Sequence, residues 1–153
     1  LAVYLARLGC DVAFATAVGC DPYSEELLTR LGDERVNTRF IRRDTARLPG
    51  LYVIRTRPDG ERDFHYWRSD SAARALFKSA DVEGFLAAVE PYADIVALTG
   101  ITLSLLTMDG VAATAAMLER VRARGGEVAF DINYRPRGWE SPAAAAEAVA
   151  LIS

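Results

Sequence analysis

Glu127-Val-Ala-Phe-Asp-Ile-Asn-Tyr-Arg-Pro-Arg-Gly-Trp139 passes from a short apolar run into Asp131, Asn133, Arg135 and Arg137. Val128, Ala129 and Phe130 predict a buried parallel strand, and the polar cluster falls where such a strand leaves the sheet at its carboxyl end. In open α/β sheets that edge is where ligands bind. An acid, an amide and two guanidiniums there suit an anionic, phosphate-bearing ligand, because an arginine fork meets carboxylate or phosphate oxygens two at a time. On spacing alone, a strand followed by a solvated turn closed by Pro136 and Gly138 explains the stretch equally well.

The flanking sequence supplies the α/β context. Upstream, Met108 to Arg124 carries Val111, Ala115, Leu118 and Val121 at helical spacing, with Arg120, Arg122 and Arg124 toward the end that favours cations. Gly125-Gly126 closes that helix. Earlier, Ile95-Val-Ala-Leu98 reads as a second buried strand that ends in Thr99 and Gly100. Asp81 is placed to cap a helix whose Val82, Phe85, Leu86 and Val89 share a face, and Ser71 to Phe77 predicts a shorter one. Downstream, Ser141-Pro142 begins an alanine-rich last helix.

The same rhythm opens the chain. Val3, Tyr4, Leu5 and Leu8 form a helical pattern stopped by Gly9, Asp11 to Val18 reads as a central strand, and Gly19, Asp21 and Pro22 turn into a helix with Leu27, Leu28 and Leu31 inward. This alternation predicts a doubly wound α/β domain. It is interrupted between residues 38 and 68. Thr38 to Arg43 reads as a short strand, and Leu51 to Thr56 and Arg62 to Arg68 flank Arg57-Pro-Asp-Gly60, a strong hairpin signal. A two-residue turn cannot join strands of a parallel sheet, so this part is expected to form a small antiparallel β lid. The expected organisation is a core of residues 1–37 and 69–153 with a lid over 38–68.

Composition sets outer bounds. With 51% apolar and 25% charged residues, the 153-residue chain has the balance of an ordinary globular domain, and a net charge of −3 gives no basic field for nucleic acid. No apolar run is long enough to cross a bilayer and no signal-peptide start is present, so the cytoplasm is the expected compartment. Cys10 and Cys20 are expected as buried free thiols. His65 is the lone histidine, in an alternating strand, so neither a histidine zinc site nor a Ser-His-Asp triad is expected. Leu1 and Ser153 both fall inside helical patterns, which predicts a piece of a longer protein.

Three polar groups fall at predicted strand ends. Tyr66 and Arg68, two apart, share a strand face, and Tyr52 joins them if the register allows. Such a face could cover a polyhydroxylated acid, or be an ordinary aromatic cross-strand pair with a solvated arginine. Gly100, in Thr99-Gly-Ile-Thr102, would let a ligand approach the backbone closely. The third group is Asp131, Asn133 and Arg135. No GxxxxGK[ST] and no GxGxxG phosphate cradle occurs anywhere.

Leu48-Pro-Gly-Leu-Tyr-Val-Ile54, Gly60-Glu-Arg-Asp-Phe-His-Tyr-Trp-Arg-Ser-Asp-Ser-Ala-Ala-Arg74, Leu98-Thr-Gly-Ile-Thr102 and Phe130-Asp-Ile-Asn-Tyr-Arg-Pro-Arg-Gly-Trp139 carry a resemblance. They resemble bacterial 2-keto-3-deoxygluconate kinases, a branch of the ribokinase-like (PfkB) carbohydrate kinases. Val18-Gly-Cys-Asp-Pro-Tyr23 is similar to the Gly-x-Asp turn of the whole family. The resemblance implies a ribokinase-like doubly wound sheet, in part, with a β lid, and phosphoryl transfer from ATP with Mg²⁺ to a six-carbon keto-deoxy acid. It implies that Tyr52, Tyr66 and Arg68 contact the sugar acid from the lid and that the backbone at Gly100 and Ile101 flanks it. Arg135 would pair with the carboxylate or the transferred phosphate. Asn133 would lie near the nucleotide phosphates and Mg²⁺, with Asp131 ordering that loop. Two guanidiniums, Arg68 and Arg135, would thus serve one anionic sugar.

The family's earlier Gly-Gly stretch and later Gly-Ala-Gly-Asp motif, which holds the catalytic aspartate, have no counterpart here. No catalytic residue is therefore assigned, and the chain alone is expected to lack turnover. Lids of this family often pack against another subunit's lid, so a homo-oligomer is expected. Two other readings remain: a fructokinase or ribokinase of the same family, whose neutral sugar would leave Arg68 and Arg135 without a counter-charge, and a non-catalytic module that binds sugar acids or a partner.

Overall fold

Ala6 on α1 (Ala2–Arg7) packs with Val18, Leu31, Val36 and Ile41, gathering into one core the apolar positions that the helical and strand patterns mark along the first forty residues. The computed structural model describes residues 1–79 and 81–152. The chain divides into two units, Leu1–Leu76 and Phe77–Ser153.

In the first unit, α1 ends where Gly9 takes φ +90°, a conformation that L side chains rarely adopt. β1 (Thr16–Val18) follows and pairs in parallel with β2 (Ile41–Arg43), in register Thr16 with Ile41. The strand is shorter than the Asp11–Val18 run predicts, with only a lone bridge from Ala13 to Asn37 before it. Between these strands runs α2 (Pro22–Asp33), with Pro22 in its first turn and Leu31 buried. Leu28 is half-buried and Leu27 is exposed, so the inward stripe is narrower than its three leucines suggest.

The parallel pairing of β2 with β1 corrects one expectation, since this strand was grouped with the lid. Ile41 supplies the reason: it is buried in the same core as Val18, and its burial carries the strand into that layer. The antiparallel hairpin is formed by β3 (Leu51–Thr56) and β4 (Arg62–Trp67). Gly60 in the turn has φ +86°, as the Asp-Gly signal requires. α3 (Ala72–Lys78) follows.

Asp21 shows how a local signal stabilises this unit. Its carboxylate caps α2, accepting from the N–H groups of Tyr23 at 3.0 Å and Ser24 at 3.2 Å, and from the Ser24 hydroxyl at 2.6 Å. The Ser24 hydroxyl above all holds the Asp21 carboxyl below its ordinary 3.8. A depressed carboxyl pKa contributes stability that is present above the unfolded value and is lost as pH falls through the folded one. Asp21→Asn keeps a good cap residue but removes the titration. It should therefore leave the melting temperature near neutral pH almost unchanged and make its fall below about pH 4 shallower. An unaltered acid limb in Tm against pH would count against this assignment.

In the second unit, α4 (Val82–Val89) buries Val82, Phe85 and Leu86. Asp81 precedes it without a side-chain cap bond, because its backbone is already turned away from the extended conformation an N-cap needs. β5 (Ile95–Thr99) pairs in parallel with β6 (Glu127–Asp131), joined through α5 (Gly100–Leu103) and α6 (Met108–Ala123). α6 buries Val111, Thr114, Met117, Leu118 and Val121 and packs on α4, β6 and α7 (Pro142–Ile152). The buried Thr114 hydroxyl donates to the Gly110 carbonyl at 2.8 Å.

Within this unit the described residues cover β5 and β6 on one face. Val96, Leu98, Val128 and Phe130 are buried or half-buried, whereas Ile95, Ala97 and Ala129 are exposed. The arginines of α6 also do more than meet its dipole. Arg120 pairs with Glu90 at 2.8 Å, and Arg124 donates to the Ala93 carbonyl at 2.7 Å, tying the helix end to the turn before β5. Cys10 and Cys20 are free, as expected, but exposed rather than buried, because both lie in the loops at the ends of β1's approach and not in a strand.

Candidate functional site

The hairpin register decides which side chains share a face. Tyr52 stands opposite Tyr66 and Ile54 opposite Phe64, so alternation puts Tyr52, Ile54, Phe64 and Tyr66 on one side of the flap. The rings of Tyr52 and Tyr66 lie 6.1 Å apart, and Phe64 stacks with Tyr66 at 6.2 Å and 11°. Arg68 lays its guanidinium over the Tyr66 ring, 4.5 Å from the centroid. The ring's negative face stabilises that cation and holds it near the phenols without neutralising it. Arg68 has no acidic partner among the described residues.

The opposite side carries Leu51, Val53, His65 and Trp67. Tyr52 is 57% exposed and Trp67 61%, so neither face of the flap is covered. A two-stranded sheet cannot bury its own faces, and open aromatic surface of this kind marks contact with something else. Phe64 adds a third ring to the face shared by Tyr52 and Tyr66. Its signal was the same alternation that placed Tyr66, two residues on.

In the second unit, the ends of the two parallel strands meet. Thr99 and Asp131 are register partners across β5 and β6. The Thr99 hydroxyl accepts from the Ile101 N–H at 3.2 Å and starts α5, while Asp131 Oδ1 accepts from the Asn133 N–H at 3.0 Å. Asn133 has φ +30°, which asparagine tolerates better than most residues. Gly100 is buried, and a Cβ built on it would stand 2.1 Å from the Ile132 carbonyl oxygen. The space that glycine frees is therefore occupied by the turn after β6. This packing of Ile132 against Gly100 is made through its backbone and carries no local signature in the sequence.

Arg135 follows on the same loop, exposed, and begins a short 3-10 turn, Pro136–Gly138. It has no ion-pair partner among the described residues. One amide and one unneutralised guanidinium on a short loop form a donor set that fits phosphate oxygens. Among the described residues no three His, Cys, Asp or Glu side chains gather as a cation site. Nor, among them, is any helix long and apolar enough to cross a membrane.

Comparisons with known proteins bear on this arrangement. The family described as pfkB family carbohydrate kinase matches residues 1–153. A 2-dehydro-3-deoxygluconokinase of Dickeya dadantii is 41% identical over 144 residues, which cover 92% of this chain and 46% of that protein. Among solved structures, a 2-dehydro-3-deoxygluconokinase from Thermotoga maritima matches with a TM-score of 0.75 and 26% identity, over 90% of this chain and 41% of that one. A fructokinase from Xylella fastidiosa with bound ATP matches with a TM-score of 0.76 and 29% identity, over 98% of this chain and 45% of that one. The chain spans about half the length of the curated relatives it matches.

Proposed function

Because the chain belongs to the pfkB family of carbohydrate kinases and has its ribokinase-like α/β fold, we propose that the whole protein phosphorylates 2-keto-3-deoxygluconate, using ATP. The observation that carries the choice of an acid is Arg68, a guanidinium held 4.5 Å over Tyr66 on an open flap and without a carboxylate partner among the described residues. In this reading Tyr52 and Tyr66 contact the sugar hydroxyls, Arg68 meets the carboxylate, and the backbone at Gly100 and Ile101 flanks the sugar. Arg135 takes the carboxylate or the transferred phosphate. Asn133 serves the nucleotide phosphates, with Asp131 holding its N–H.

Phosphoryl transfer depends mostly on positioning and on stabilising charge, which is what such clamps supply. Mg²⁺ is the ordinary companion of ATP in this chemistry and would be held largely by phosphate oxygens. The open hairpin faces support a homo-oligomer assembled through the lid, and use of ATP supports a cytoplasmic setting.

A panel of sugars given to the full-length enzyme tests the substrate. Keto-deoxygluconate should be turned over with kcat/KM at least about tenfold above fructose or ribose, the discrimination one charge-assisted hydrogen bond supplies. A second reading, a neutral-sugar kinase, draws on the likeness to the Xylella fructokinase. Preference for fructose in the panel would establish it and remove the acid.

A further inference from the structure

Two chain segments join the flap to the rest of its unit, and one side chain touches both. The inbound segment is anchored to β1, where the Asp44 N–H donates to the Val18 carbonyl at 2.8 Å. Asp44 Oδ1 then accepts from the N–H groups of Ala46 at 2.8 Å and Arg47 at 3.1 Å, fixing a tight turn. The Arg47 carbonyl lies against Gly19, where a Cβ would come within 2.5 Å of it. From this held backbone the Arg47 guanidinium reaches Asp44 Oδ2 at 3.3 Å through Nη1 and Asp70 Oδ1 at 3.0 Å through Nε. Asp70 belongs to the outbound segment, two residues after Arg68. The segments are also joined by the Ala72 N–H, which donates to the Leu48 carbonyl at 3.0 Å, and by Gly50, where a Cβ would stand 3.0 Å from the Arg68 Cβ.

We propose that Arg47 is a positioning residue for sugar recognition: by bridging Asp44 to Asp70 it sets the angle at which the flap presents Arg68, Tyr66 and Tyr52. The proposal rests on the reading that this flap contacts the sugar acid. Its energetics separate positioning from folding. The Asp70 side chain is 86% exposed and that of Arg47 39%, and exposed ion pairs add little to global stability. A hinge with two legs responds differently. Freeing one leg leaves the core intact but widens the set of flap orientations, and the ligand must then select the competent one.

The test uses the full-length enzyme and compares Arg47→Ala, Arg47→Lys, Asp70→Asn, the Arg47→Ala/Asp70→Asn double variant and Arg68→Ala. Arg47→Ala and Asp70→Asn should each raise the sugar KM about two- to fivefold, with ATP KM and Tm unchanged. The double variant should be no worse than Arg47→Ala, since both remove one bridge. Arg47→Lys should recover part of the effect. A sugar KM that stays at the wild-type value in Arg47→Ala while rising in Arg68→Ala overturns the role of Arg47 and leaves the flap reading standing. Additive effects of Arg47 and Asp70, or a matching rise in ATP KM with a fall in Tm, overturn it as well. No change in Arg68→Ala removes the flap reading itself, and the proposal with it.

Discussion

Gly100→Ala is expected to destabilise the full-length protein by about 1–3 kcal/mol, toward the upper end, the usual cost of forcing one added carbon into a filled site. The added Cβ would meet the Ile132 carbonyl oxygen at 2.1 Å and the Ile132 carbonyl carbon at 3.2 Å. Neither neighbour is the tip of a flexible side chain, so relief requires movement of backbone. On one side that backbone begins α5, fixed by the Thr99 cap. On the other it is the turn in which Asp131 holds the Asn133 N–H and Asn133 sits at φ +30°. Moving the turn displaces Asn133 and Arg135 together, so the folded fraction should also lose kcat/KM. Urea unfolding read beside initial rates checks both parts. A free-energy change under about 0.5 kcal/mol, within the range of ordinary surface substitutions, would show that the strand ends are not locked in this way.

The elements legible in the sequence were those specified within a few residues. Pro22 after Asp21 marks the start of α2, Asp59-Gly60 marks the hairpin, and Gly125 with φ +89° marks the end of α6. What was not legible depends on partners distant in sequence. Nothing in Thr38 to Arg43 says that Ile41 will join the core with Val18, so the strand was assigned to the neighbouring lid. The run Val128 to Phe130 looks the same whether helices cover one face of its sheet or both. For the site, alternation placed Tyr66 beside Arg68, and the register supplied Tyr52. The bridge from Arg47 to Asp70 spans 23 residues and carries no local signature.

The substrate prediction turns on how an arginine loses affinity when it is cut back. Arg68→Ala should weaken binding of the sugar acid by about 1.5–3 kcal/mol, the scale of a hydrogen bond to a charged group, which is roughly a ten- to hundredfold rise in KM. Arg135→Ala should fall in the same range, but the split between parameters separates the two roles. If Arg68 meets a carboxylate present in both ground and transition states, its loss raises KM with kcat little changed. An arginine that meets the transferred phosphate is used most in the transition state, and its loss lowers kcat. Arg68→Lys tests geometry against charge, because the guanidinium carbon lies 4.5 Å from the Tyr66 ring centroid and an ammonium in its place offers no planar fork to bind two oxygens. Lysine should therefore recover only a small part of the loss. Wild-type kinetics for keto-deoxygluconate in both alanine variants would mean that neither cation reads the acid, and the flap would then be better matched to a neutral sugar.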